Sequence, residues 1–139
     1  MKMTPLKSNH QEAIIQLICG RVADPIAIYL FGSVAADAVH ESSDIDIAVL
    51  PQGPLSTETR WNLQQELAIA LRTDVDLVDL LSASTVMRLQ VVSTGELLFE
   101  GDAYKRAEFE MITFSMYARL NEERKEILEK VKREGKVYG

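Results

Sequence analysis

The segment IAIYLFGSVAADAVHESSDIDIAVL, running from Ile26 to Leu50, decides how this chain is read. Asp24-Pro25 stops whatever helix precedes it, and Ile26 to Phe31 is a short apolar run suited to a buried strand. Gly32 and Ser33 follow as a small-residue turn, and ten residues separate them from Asp44. From Asp44 to Leu50 acidic and apolar residues alternate, until Pro51-Gln52-Gly53-Pro54 breaks the chain. Successive side chains on a strand point to opposite faces, so Asp44 and Asp46 share one face and Ile45, Ile47 and Val49 the other. A Gly-Ser turn leaves backbone N–H groups and one hydroxyl to hold a triphosphate, while carboxylates two apart can share divalent metal. Either half alone is weak; in this order and spacing they point to nucleotidyl transfer.

Outward from this segment the chain alternates helices and strands. Ser8 and Gln11 make a capping box, and Ala13, Ile14, Leu17, Ile18 and Val22 recur at helical spacing, which predicts a helix from about Gln11 to Val22. Ser56 caps a second helix, with Leu63, Leu67 and Leu71 as its apolar stripe. Asp74 to Leu81 reads as a third strand, after which Ser82 or Ser84 caps a helix ended by Gly95. Glu96 to Phe99 is a short strand, and from about Ala103 the residues Phe109, Ile112, Met116 and Leu120 form one face of a long helix, 103–135. Beyond Asn121 charges of both signs dominate, with only Ile127, Leu128 and Val131 apolar, so this end is either a solvated helix or a partner-binding one. With no repeat or linker, the expectation is one α+β domain over 1–139, a small mixed sheet carrying the site and helices on one face.

The third predicted strand adds a carboxylate. Asp74, Asp76 and Val78 share one face, so Asp76 comes beside Asp44 and Asp46 if the two strands are neighbours. Like charges so placed repel, and cations are the simplest remedy. Three carboxylates suit Mg²⁺, and two such ions can serve an in-line displacement of pyrophosphate. Asp74 lies on the same face and is an alternative to Asp76. Asp79 falls on the apolar face and is read as solvated at the strand end or paired with an arginine, outside the metal set.

Composition narrows the acceptor. The 139 residues are 47% hydrophobic and 26% charged, enough for a single core, and the formal charge of −6 disfavours long nucleic acids. Small phosphorylated ligands and a basic protein partner remain compatible with that field. Cys19 is the sole cysteine, which excludes an internal disulfide and a Cys-based zinc cluster, fits a reducing cytoplasm, and is read as a small core residue. The start of the chain is no signal peptide, and nothing approaches the ~20 apolar residues of a membrane span. His10, His40, Trp61, Arg88 and Arg106 read as ordinary surface, capping or packing residues.

The pattern Gly32-Ser33-x10-Asp44-x-Asp46 resembles the motif of the polymerase-β nucleotidyltransferase superfamily, and Asp76 in Val75-Asp76-Leu77-Val78 stands where that superfamily places its third carboxylate. Over its whole length the chain is similar to the minimal nucleotidyltransferases (MNT domains) that are the antitoxins of HEPN/MNT toxin–antitoxin pairs. The resemblance implies that Gly32 and Ser33 hold the ATP triphosphate, that Asp44 and Asp46 bind both Mg²⁺ ions, and that Asp76 completes one metal site and helps activate the nucleophile. It further implies transfer of AMP from ATP to a tyrosine hydroxyl of a cognate HEPN ribonuclease toxin, within a hetero-oligomer, neutralising it. One departure is plain: relatives often carry Arg-Gly soon after the Gly-Ser turn, where this chain has Val34-Ala35-Ala36-Asp37-Ala38. A basic contact to the phosphates then comes from elsewhere in the chain or from the partner. Two rivals stand: a small-molecule nucleotidyltransferase of the aminoglycoside type, which usually needs a second domain, and a non-catalytic antitoxin that acts by binding the toxin.

Overall fold

The computed structural model describes residues 8–32 and 44–134. In chain order they form α1 (Ser8–Arg21), β1 (Ala27–Phe31), β2 (Ile45–Leu50), α2 (Thr57–Leu71), β3 (Val75–Asp79), α3 (Thr85–Thr94), β4 (Glu96–Glu100) and α4 (Ala103–Glu134). Helix α1 starts three residues before the expected Gln11, and β3 ends two residues before the expected Leu81. Ser84, not Ser82, caps α3, its side chain accepting from the N–H of Met87 at 3.1 Å. Ser56 caps α2 in the same way, accepting from Thr59 N–H at 3.0 Å.

The strands form one mixed sheet in the order β3-β2-β1-β4. β1 is antiparallel to both β2 and β4, whereas β2 and β3 run parallel, joined by the crossover helix α2. This connection order puts the end of β1 and the starts of β2 and β3 side by side.

Helices cover both faces, where the sequence pattern suggested one. Ile14 and Ile18 of α1 and Leu63, Leu67 and Leu71 of α2 pack on Ile28, Leu30, Ile47, Val49 and Leu77. On the opposite face Tyr29, Phe31, Ala48 and Leu50 meet Val91 of α3, with Phe109 of α4 packed against them. The reason lies in β1, whose five residues are all buried: a strand apolar at both parities must be covered twice. Each buried Leu or Ile is worth roughly 1.5–3 kcal/mol, so α2 is held chiefly by its three leucines.

β3 is an edge strand, and α2 closes it. Gln64 Oε1 accepts from Leu77 N–H at 2.8 Å, and Arg60 Nη1 donates to the Leu77 carbonyl at 3.2 Å. Both main-chain groups that Leu77 would offer to another strand are thereby taken. Helix α4 is anchored by its first half. The Tyr29 hydroxyl donates to Glu110 at 2.8 Å, and Arg106 bridges Glu110 and Glu100. Burial, and then the Glu110 carboxylate, push ionisation of Tyr29 well above the ordinary tyrosine range. Residues 121–130 of the same helix are exposed throughout.

Candidate active site

The carboxylates gather where β1 ends and β2 and β3 begin. Asp46 is the register partner of Phe31 on one side and of Asp76 on the other, so the three residues form a row across the sheet. Strand parity puts Asp46 and Asp76 on the face lined further along by Ala48 and Leu50. There Asp46 is half-buried and Asp76 exposed. Asp44, immediately before β2, is exposed. Burial, followed by the charges of Asp76 and Asp44, raises the Asp46 pKa above the ordinary carboxylate range. Among the described residues no salt bridge brings positive charge to this cluster.

Gly32 forms the other wall. Its φ of +74° is in the left-handed region, and a Cβ built on it would overlap Oδ2 of Asp46. Only glycine satisfies both the backbone angle and the approach, so the residue that follows β1 is set directly against the central carboxylate. Ser33 and His40 lie outside the described residues.

Asp74, the rival third ligand, precedes β3, and its carbonyl accepts from Ile45 N–H at 3.0 Å. It is Asp76 that sits level with Asp46. Among the described residues no group of three or more His, Cys, Asp or Glu side chains is gathered tightly enough to enclose a metal ion. Mg²⁺ fits nonetheless, because it takes one or two carboxylates and draws its other oxygens from water and substrate phosphates. The donor set here is all oxygen.

The sequence led to the expectation that Asp79 is solvated or paired with an arginine, and it is neither. It is buried, with Oδ2 accepting from Leu55 N–H at 2.8 Å and from the Ser82 hydroxyl at 3.1 Å, and Oδ1 accepting from Leu81 N–H at 2.9 Å. The strand ends at this residue, and the turn after it brings the donors round. Arg88 completes the same turn from the other side: it donates to the carbonyls of Leu80 and Leu81 at 2.7 and 2.8 Å and lies over the Phe109 ring. It is a structural residue, not a surface one. Cys19 also departs from expectation, being exposed on α1.

Sequence reasoning passed over Arg60. It lines a groove of about 310 Å³ together with Asp76, Leu55, Thr57, Ser82 and Ala83. Its signal was present only as one arginine in the first turn of α2, with nothing in the spacing to connect it to Asp76.

Comparison with known proteins gives the family. The model of the family described as polymerase beta, nucleotidyltransferase matches residues 12–104, which include every described residue of the row. A protein adenylyltransferase, MntA of Shewanella oneidensis, is 45% identical over 126 residues, covering 91% of this chain and 90% of its own. A toxin–antitoxin crystal structure with AMP-PNP contains a chain of 45% identity that superposes with a TM-score of 0.79, covering 88% of this chain and 98% of that one. A complex of a tri-AMPylated Shewanella oneidensis HEPN toxin with its MNT antitoxin matches at a TM-score of 0.76 and 42% identity, covering 91% and 99%. Gly32, Asp46 and Asp76 at the strand ends are therefore housed in a chain that belongs to the polymerase-β nucleotidyltransferase family.

Proposed function

We propose that this protein is an antitoxin that transfers AMP from ATP to a tyrosine hydroxyl of a cognate HEPN toxin and so neutralises it. The observation that carries this is the setting of Asp46, flanked by a glycine with no room for a side chain and by a second carboxylate in register. In this reading the turn at Gly32 and Ser33 holds the triphosphate, and Asp44, Asp46 and Asp76 hold Mg²⁺. The metal, when bound, neutralises the carboxylates and the developing charge on pyrophosphate. The chain's own part is positional. Gly32 brings main chain to the phosphates, and Asp76 stands on the side from which an acceptor hydroxyl arrives.

The acceptor comes as another protein. A 42% identical antitoxin is found in complex with its tri-AMPylated HEPN toxin, and in this reading the exposed distal half of α4 is offered to such a partner. Exposed Ile127 and Leu128 among charges of both signs suit such a contact. Repeated transfer belongs to the same proposal, since the toxin bound by a 42% identical antitoxin is tri-AMPylated. Among the described residues no helix is long and apolar enough to cross a membrane.

The test is to incubate the protein with labelled ATP, Mg²⁺ and the toxin encoded beside it, and to repeat this with the Asp44→Ala/Asp46→Ala double variant. Label on a toxin tyrosine with the wild type, and its loss with the variant, is the expected result. If label never reaches the toxin the transferase reading fails, and if the double variant neutralises equally well the mechanism is binding.

A further inference from the structure

The sheet order divides the site into two sides. Gly32, where the triphosphate would lie, is at the end of β1; Asp76 is on β3; and β2 with Asp46 runs between them. In-line displacement at the α-phosphate places the leaving pyrophosphate and the attacking hydroxyl on opposite sides of the phosphorus. With pyrophosphate on the β1 side, the acceptor must enter from the β3 side. The groove that Asp76 shares with Arg60 opens there.

This groove is a built one. Its floor is Asp79, whose bonds to Leu55, Leu81 and Ser82 tie the entry to α2 to the turn after β3. Arg60 is steadied by the Leu77 carbonyl and, at 3.4 Å, by Gln64, both through Nη1. Its Nε and Nη2 carry three further N–H donors, which have no bonded partner among the described residues. A guanidinium so held, with three N–H donors left over, suits the oxygens of a phosphate. Its volume of about 310 Å³ is at the lower end of the range for small-ligand sites.

We propose that this groove is an acceptor subsite for the AMP already joined to the toxin tyrosine, with the Arg60 guanidinium on its phosphate and Leu55 and Ala83 beside its nucleoside. The inference rests on the repeated transfer proposed above. In each later round a ribose hydroxyl of the attached AMP attacks the α-phosphorus of a new ATP. The new O–P bond forms as the bond to the β-phosphate oxygen breaks, pyrophosphate leaves with that electron pair, and the hydroxyl proton is released to solvent. Arg60 is thus a positioning residue for extension, where the first transfer presents only a tyrosine.

The experiment follows the toxin by intact mass during reaction of the full chain with ATP and Mg²⁺, counting species with one, two and three AMP. For Arg60→Gln the rate of the second and third additions relative to the first falls about tenfold, the effect expected for one charge-assisted bond. Because Arg60 also supports β3, Thr57→Glu is the second variant. Thr57 is exposed in the first turn of α2, where an acidic side chain suits the helix, and it sets a negative charge in the groove without touching Leu77. The same skew toward single addition is expected. If the wild type adds AMP repeatedly and both variants slow every addition equally, with a raised KM for ATP, Arg60 serves ATP itself and the proposal is overturned. It is overturned too if neither variant alters the distribution, or if the wild type stops at one AMP or places its AMPs on separate tyrosines. A wild type that adds none overturns the transferase reading, and the groove's role with it.

Discussion

Asp76 and Asp79 are three residues apart on one short strand, yet the fold treats them in opposite ways. Asp79 is 4% exposed and accepts from two backbone N–H groups and a hydroxyl, so its charge is fully employed within the protein. Asp76 lies on the other face, exposed, level with Asp46 and without a cationic partner among the described residues. One carboxylate is structural because the chain supplies its donors; the other is chemical in the proposed reading, since among the described residues its register partner is another carboxylate. Partner sets, more than burial or sequence context, separate the two roles.

The sharpest way to break this contrast is Asp79→Ala. Removal of a buried acceptor leaves Leu55 and Leu81 N–H groups without their partner, which predicts a loss of about 3 kcal/mol and a fall in Tm on the order of 10 °C. Chemical denaturation of the variant against wild type checks this; a change under about 1 kcal/mol means that water replaces the carboxylate readily and that Asp79 is no staple. Gly32→Ala is the next largest. The left-handed φ costs an alanine about 1–2 kcal/mol, and its Cβ displaces Asp46, so adenylyl transfer should drop by at least about tenfold while the fold persists. A variant with full activity would mean that Asp46 need not stay where Gly32 holds it.

The same contrast marks what was legible in sequence. Alternation in Asp44–Leu50 and the apolar run before Gly32 announced β1, β2 and the face shared by the acids, because local period dictates both. The stripe Leu63, Leu67, Leu71 likewise announced α2 and its buried side. Asp79, Arg88 and Arg60 were illegible for a common reason: their partners are main-chain groups of the turn at 80–82, of Leu55 and of Leu77, which leave no residue-type signature. The second helical layer was announced by β1, apolar at both parities, but the acids of β2 and β3 at Asp44, Asp46, Asp74 and Asp76 suggested that one face of the sheet stays open. Register alone distinguishes Asp76 from Asp74, and register is decided by the crossover through α2 rather than by either residue.

The smallest expected effect bears most directly on the contrast, because it asks whether the Asp46 cluster costs the fold stability. Burial and the neighbouring charges of Asp76 and Asp44 raise the Asp46 pKa in the folded chain, so the folded state binds this proton more tightly than the unfolded state does. Such a group contributes its full stability below the ordinary carboxylate range, and that contribution is lost as pH rises through the raised value. With chelator present, Asp46→Asn should therefore leave Tm near the wild-type value at pH 4 and increase it by about 1–3 °C at pH 7. Adding Mg²⁺ at pH 7 should lift the wild type and move the variant less, since the asparagine no longer offers a charge to neutralise. Thermal scans across that range, with and without Mg²⁺, decide the matter. A variant less stable than wild type at pH 7 would show that local donors hold Asp46 as they hold Asp79, and the division between a satisfied acid and an unsatisfied one would fail at its central residue.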